Sequence, residues 1–351
     1  RRLAGAMMTS EGPVLCFGET LLRLTPPGPE LLLQSSRLTT HTGGAEANVA
    51  VSLARFGVPA AMLSAVPDSA LGRAVRDELR RHGVDVARMV FAPGRMGLYF
   101  VTPGAVMRPA EVLYDRLHSA FVENVETAFD WDTSLAGAGW LHLSGITAAT
   151  GEPGSAAAQA IVEAANRKQV GVSFDVNFRR TLWERWDGDP VRTLGSILSR
   201  SEVAFAGEQD MALILDRTFE DHAPEDRPRA AATAAFETFP RLKTIACTHR
   251  IQHSVDSHSL SATMFLRTPS ALQELRTRRI DMTGVVDRIG AGDAFAAAVL
   301  FGLRMRWDAQ DTLNFALVAA ALKHTIPGDF NLVSEAMVRS AMEQGSFGIL
   351  R

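Results

Sequence analysis

Asp293 follows a Gly290-Ala-Gly292 turn in the stretch Val285-Val-Asp-Arg-Ile-Gly-Ala-Gly-Asp-Ala-Phe-Ala-Ala-Ala-Val-Leu300. A β-branched run ends there in a polar corner, and an Ala-rich helix begins with Asp293 in its first turn. Glycines leave backbone N–H groups bare, and a helix start adds its partial positive charge. Gly290, Ala291 and Gly292 can therefore hold an anion. A carboxylate beside such an anion hole suits phosphoryl transfer, where one group takes a proton while others stabilise charge. The plainer alternative is an Asp that stabilises a helix start behind an ordinary glycine turn.

Three further constellations carry polar chemistry. Gly43-Gly44-Ala45-Glu46-Ala47-Asn48 opens a helix. The paired glycines let a ligand approach the backbone, and Asn48 offers a donor and an acceptor to a hydroxyl. Asp175-Val-Asn177-Phe-Arg179 follows a strand, and alternation puts its three polar residues on one side. The chain has two tyrosines against 18 phenylalanines, so a hydroxyl is wanted at Tyr99 and Tyr114. Arg116 shares the strand face of Tyr114, and two phenols with a guanidinium could hold a carboxylate. Chance clustering on an exposed edge is the alternative. His249, His253 and His258 show no metal-ligand spacing and read as loop polars.

The elements that must position these residues alternate between strand and helix. Val14-Leu-Cys-Phe17 reads as a buried strand, 44–56 as a helix with Val49, Leu53 and Phe56 on one stripe, and 61–66 as a strand. A second helix turns Leu71, Val75 and Leu79 inward. Strand 140–144, helix 156–167 and strands 172–175 and 203–205 repeat the rhythm. This pattern predicts an α/β fold: a doubly wound, mainly parallel sheet with helices on both faces, forming a single domain over 11–351. Residues 19–42 and 96–121 break the rhythm and predict a small β-sheet lid over the site. Residues 217–229 read as a charged surface loop, and 1–10 as a flexible leader.

Composition narrows the partners. A formal net charge of −3 supplies no pull toward nucleic acid or an anionic membrane. The longest apolar run near the C-terminus, 294–303, falls short of a membrane span. Cys16 and Cys247, far apart and outside any Cys-x-x-Cys motif, read as buried reduced thiols of a cytoplasmic protein.

These pieces stand in the order of the ribokinase-type (PfkB) carbohydrate kinases, which the chain resembles from Val14 to about Met342. The Gly43-Gly44 segment resembles the family's N-terminal signature, and Asp287-Arg-Ile-Gly-Ala-Gly-Asp293 its C-terminal one. Within the family the closer similarity is to 2-keto-3-deoxygluconate kinases. It is carried by Leu143-Ser-Gly-Ile-Thr147, Tyr114-Asp-Arg-Leu-His-Ser-Ala120, Asp175-Val-Asn-Phe-Arg-Arg-Thr-Leu-Trp183 and Pro327-Gly-Asp-Phe-Asn331. The resemblance implies a ribokinase-like fold, with Asp293 as base for a primary hydroxyl and Gly290, Ala291 and Gly292 as its anion hole. It implies a sugar pocket lined by Gly43, Gly44, Ala45 and Asn48. Tyr99, Tyr114, Arg116 and Arg179 would grip the acid end, with Ile146 packed against it. ATP would lie near Thr248, Arg250, Lys323, His324 and Asn331, with Mg2+ on its phosphates near Asp210; a monovalent cation as a further cofactor stays open. The lid itself predicts a homodimer through its sheet, since its outer face would otherwise expose Leu and Val. Three departures mark the chain. Gly207-Glu-Gln-Asp210 stands where relatives often carry Asn-x-x-Glu, Thr248-His-Arg-Ile-Gln-His253 replaces a glycine-rich turn, and Arg288 replaces Thr or Pro. Two other readings stay open: a kinase of a neutral sugar or nucleoside, and a non-catalytic sugar- or nucleotide-sensing protein.

Overall fold

The computed structural model describes residues 12–269 and 271–344, so the leader expected at 1–10 lies outside the described residues. Its centre is a nine-stranded sheet. Strands Ala60–Leu63, Val14–Phe17, Trp140–Ser144, Gly171–Asp175, Val203–Phe205 and Thr244–Gln252 lie side by side and parallel, in that spatial order. Ser257–Arg267 adds antiparallel to the last of these, and Leu272–Arg276 and Ile280–Thr283 pair with it in turn. Alternation along Val14–Phe17 shows why the sheet is doubly covered. Val14 and Cys16 join one hydrophobic core while Leu15 and Phe17 join the other, all four being buried.

One core packs helices Ala45–Arg55, Ala291–Arg304 and Ala309–Lys323, where Phe56, Phe301 and Phe315 meet with ring centroids 5.4 Å apart. The Ala-rich run of the second helix lets its neighbours approach closely. A Cβ on Gly302 would lie 2.4 Å from Thr312. The opposite core packs Glu152–Arg167, Pro190–Leu198 and Arg227–Thr238. The first of these begins ahead of the expected 156, because Pro153 is tolerated in a first turn, where its missing N–H costs no bond.

Both stretches that break the rhythm contribute to one separate four-stranded sheet. Its order is Thr39–Gly43, Leu21–Thr25, Leu98–Thr102, Glu111–Asp115, with Arg23 opposite Tyr99 and Tyr99 opposite Tyr114. Several local expectations need correction. The strand expected at 61–66 divides at Ser64 into Ala60–Leu63 and Ala65–Pro67, and the latter pairs with Val90–Ala92 instead. Val75 and Leu79 face inward from helix Ala70–Arg81, but Leu71 is 52% exposed at the start of that helix. Cys16 is buried and Cys247 only partly so, both as free thiols. Among the described residues, no helix is long and apolar enough to cross a membrane.

Candidate active site

Gly290 caps helix Ala291–Arg304 with φ of 83°, a left-handed conformation that favours glycine. A Cβ there would lie 2.0 Å from the carbonyl oxygen of Asp329, so this glycine is required by packing as well as by φ. Gly292 differs: a Cβ on it would meet nothing within 4 Å, which leaves the space above the helix start open. Asp293 follows immediately and accepts a 2.7 Å hydrogen bond from Asn48 Nδ2. Burial is the main force on its carboxyl, pushing the pKa up to about 7. Glu46 and Asp329 push the same way, while the Asn48 bond and Arg179 oppose them.

A cavity of about 710 Å³ opens over this corner. Helix Ala45–Arg55 and the residue before it supply Gly44, Ala45 and Asn48. Strands Leu98–Thr102 and Glu111–Asp115 supply Tyr99 and Tyr114, with Arg116 just past the edge strand. Ile146 comes from the turn after Trp140–Ser144, and Asp175, Asn177 and Arg179 from the carboxyl end of Gly171–Asp175. That is where ligands bind in open parallel sheets. Gly43 stands behind the wall, where its Cβ would lie 2.2 Å from Asp329 Oδ2.

Several of these groups are already engaged. Tyr99 donates its hydroxyl hydrogen to Asp329, and Arg116 Nε donates to Glu19 Oε2 at 2.7 Å inside the wall. Arg179 has no carboxylate in ion-pair range among the described residues and donates only to the Phe178 carbonyl, at 3.3 Å. Asn48 Oδ1 and Glu19 Oε1 are buried without a partner. Both atoms accept, so both suit a ligand rich in hydroxyls. Burial, followed by Asp293 and Asp210, pushes the Asp175 carboxyl well above its usual range.

A smaller cavity of about 280 Å³ adjoins the first and is lined by Thr248, Arg250, His324, Ala291 and Gly292. Gly292, Arg250 and Arg288 border both cavities, so the two meet at the helix start. Lys323 and Asn331, expected near a nucleotide, border neither. Lys323 is wholly buried, and Asn331 is 1% exposed with Oδ1 accepting from Val333 N–H. Asp210 also borders neither cavity. Its Oδ2 accepts from Gly207 N–H at 2.8 Å, and burial raises its pKa. Among the described residues, no group of three or more His, Cys, Asp or Glu could hold a metal ion. Magnesium is usually held by one or two carboxylates together with substrate phosphates and water rather than by a protein cage.

The histidines are not loop polars as a set. His249 and His258 lie on the paired strands Thr244–Gln252 and Ser257–Arg267, and His258 is buried with its ring 6.0 Å from His324. Sequence reading also passed over Glu19, Asp329 and Arg288 as site residues. The signal for Glu19 was its place directly after the first buried strand. For Asp329 it was the quoted Pro327-Gly-Asp-Phe-Asn331 segment.

The pfkB family carbohydrate kinase model matches residues 13–335. A 2-dehydro-3-deoxygalactonokinase of Haloferax volcanii is 32% identical over 98% of this chain and 100% of its own length. A 2-dehydro-3-deoxygluconokinase of Bacillus subtilis is 25% identical over 90% of each chain. The crystal structure of a 2-dehydro-3-deoxygluconokinase from Thermotoga maritima superposes with a TM-score of 0.85. It is 34% identical, covering 94% of this chain and 98% of that one.

Proposed function

The chain belongs to the pfkB family of carbohydrate kinases, and on that premise we propose that it transfers a phosphoryl group from ATP to the terminal hydroxyl of 2-keto-3-deoxygluconate. The observation that carries the chemistry is one corner: a carboxylate held near neutrality by burial, beside a glycine whose outer face is open. Asp293 takes the hydroxyl proton, a contribution of roughly 10²–10⁴ in rate for a positioned base. The N–H groups of the Gly290–Gly292 turn stabilise the transferring charge, and the helix start adds to them. Asn48 orients Asp293 through Nδ2 and offers Oδ1 to a sugar hydroxyl. ATP lies in the smaller cavity, with Arg250 and Arg288 at the junction where its phosphates would pass. Magnesium, when bound, would travel with those phosphates and supply charge neutralisation.

The relatives named for 2-keto-3-deoxy sugar acids support an acidic substrate, and Arg179 supports it within the cavity. Among the described residues no carboxylate lies within ion-pair distance of its guanidinium, although Asp175, Asp210 and Asp293 are within electrostatic reach, so a substrate carboxylate could pair with it directly. Arg116 is a weaker candidate because Glu19 already neutralises it. That ion pair, and the engagement of Tyr99 with Asp329, favour a neutral sugar instead. A coupled ADP-release assay on 2-keto-3-deoxygluconate, 2-keto-3-deoxygalactonate, fructose and ribose tests the reading. The expected result is a higher kcat/KM for the acids, and a KM for the acid raised at least about tenfold in Arg179→Ala. A clear preference for fructose or ribose would overturn the substrate and leave the kinase chemistry standing.

A further inference from the structure

Of the 36 Lys and Arg residues, three are lysines: Lys168, Lys243 and Lys323. Lys168 and Lys243 sit in surface ion pairs with Asp132 and Glu202. Lys323 has no exposed surface at all. Of the three, this compact ammonium alone is fully buried, at a place where a planar guanidinium would need more room. Its Nζ donates to the carbonyl oxygens of Ile326 at 3.0 Å and Asp287 at 3.5 Å. A Cβ built on Gly290 would lie 3.4 Å from Lys323 Cε, so the side chain passes directly behind that glycine.

The surroundings carry charge of both signs, with Asp293 within electrostatic reach of the ammonium. Arg23 reaches from the small sheet to bridge Asp287 at 2.7 Å and Asp329 at 3.3 Å. Asp287 in turn accepts from the N–H groups of Ile289 and Gly328, each at 3.0 Å. Two cations thus face two carboxylates, the arrangement that makes burial of charge tolerable. Burial lowers the Lys323 pKa to about 8, with Asp287 and Asp329 opposing the fall. Lys323 borders neither cavity, so it acts on a ligand without touching it, through the loop that it holds and through its charge.

We propose that Lys323 is a positioning residue of the anion hole, a tethered cation that fixes the loop from Asp287 to Gly290 and places positive potential behind the turn where phosphoryl charge collects. This rests on the kinase reading of that turn. Carbonyl oxygens flanked by two carboxylates would also hold a loose monovalent cation, and the ammonium excludes one by occupying the place.

The test compares wild type, Lys323→Met and Lys323→Ala in steady-state kinetics. It is joined by NMR of wild-type protein carrying 13C-labelled lysine, in which three side chains must be resolved. Expected are a kcat reduced at least about tenfold in Lys323→Met and KM values for ATP and sugar within about threefold of wild type. Lys323→Ala should regain turnover with ammonium or potassium chloride but not with tetramethylammonium chloride, and wild type should respond to none of them. Pyrophosphate should shift the Lys323 signal while those of Lys168 and Lys243 stay. Unchanged kcat in Lys323→Met would overturn the proposal. So would a loss confined to the KM for ATP, which would make Lys323 a nucleotide contact. If the variants fail to fold, a Lys323 signal indifferent to pyrophosphate is enough to overturn it. A wild type that phosphorylates no sugar while its Lys323 signal shifts with pyrophosphate would remove the kinase reading and support the link between lysine and anion hole.

Discussion

In the proposed mechanism Asp293 must be a base at a place where burial favours its neutral form, and a pKa pushed up to about 7 expresses that conflict. The base must be deprotonated to work, so kcat/KM should rise with pH through an acid limb near 7. Asn48 donates to the ionised form and holds the pKa down. Asn48→Ala should therefore move the limb to higher pH, and a pH–rate profile that stays in place would remove Asn48 from this role. Asp293→Asn should lose roughly 10²–10⁴ in kcat while still binding ADP in a calorimeter. Stability should move the other way. A carboxyl whose folded pKa is raised contributes stability below its unfolded value, and that contribution is lost as pH climbs toward 7. The asparagine does not titrate, so the melting temperature of Asp293→Asn relative to wild type should improve between about pH 4 and pH 7. The glycines separate in a similar way. Gly292→Val adds its Cβ to open space and should cost turnover with little cost in stability, whereas a side chain on Gly290 meets the Asp329 carbonyl and should cost folding as well. Near-normal turnover by a folded Gly292→Val protein would refute the anion-hole reading.

The small sheet is fastened to the loops of Asp287 and Asp329 by buried charge rather than by apolar packing alone. Arg23 on strand Leu21–Thr25 spans to Asp287 and Asp329, and Tyr99 on the neighbouring strand also bonds Asp329. Arg23→Ala would strand two buried carboxylates and should destabilise by about 3–5 kcal/mol, the usual cost of breaking a buried pair from one side. A thermal or urea melt within error of wild type would show that this network does not hold the sheet. The same network explains what the sequence could and could not reveal. The strand–helix rhythm and the glycine corner with its Asp are local patterns, and they were legible because spacing and residue type alone express them. The stretches 19–42 and 96–121, which carry no such rhythm, were legible as a separate sheet for the same reason. Arg23 and Asp287 stand 264 residues apart, and no periodicity announces that they meet. Arg116 read as a free guanidinium for the same reason, because its partner Glu19 lies 97 residues away. Leu71 kept its place on the apolar stripe of its helix, yet it falls in the first turn, where the helix has left the core.

At the scale of the whole molecule, the outer edge of the small sheet is the surface that most needs an explanation. Strand Glu111–Asp115 pairs on one side only, with Leu98–Thr102, and it leaves Val112 39% and Leu113 51% exposed. Leu33, Val106 and Met107, in segments that flank the sheet, are exposed as well. An open edge with apolar side chains invites pairing with another strand, and natural sheets usually blunt such edges with charge or cover them. Val112 also borders the larger cavity, so a second copy paired along this edge would help to shield that cavity from water. Excluding water matters to a kinase, because a wet site lets ATP hydrolyse without its acceptor. We therefore expect a homodimer joined through the small sheets, visible as twice the chain mass by light scattering. Leu113→Lys should place charge in that contact, shift the mass toward the monomer, and raise sugar-independent ATP hydrolysis relative to transfer. The two readouts answer separately. A monomeric wild type would end the dimer, while a monomeric variant with unchanged coupling would show that a single small sheet closes the site on its own.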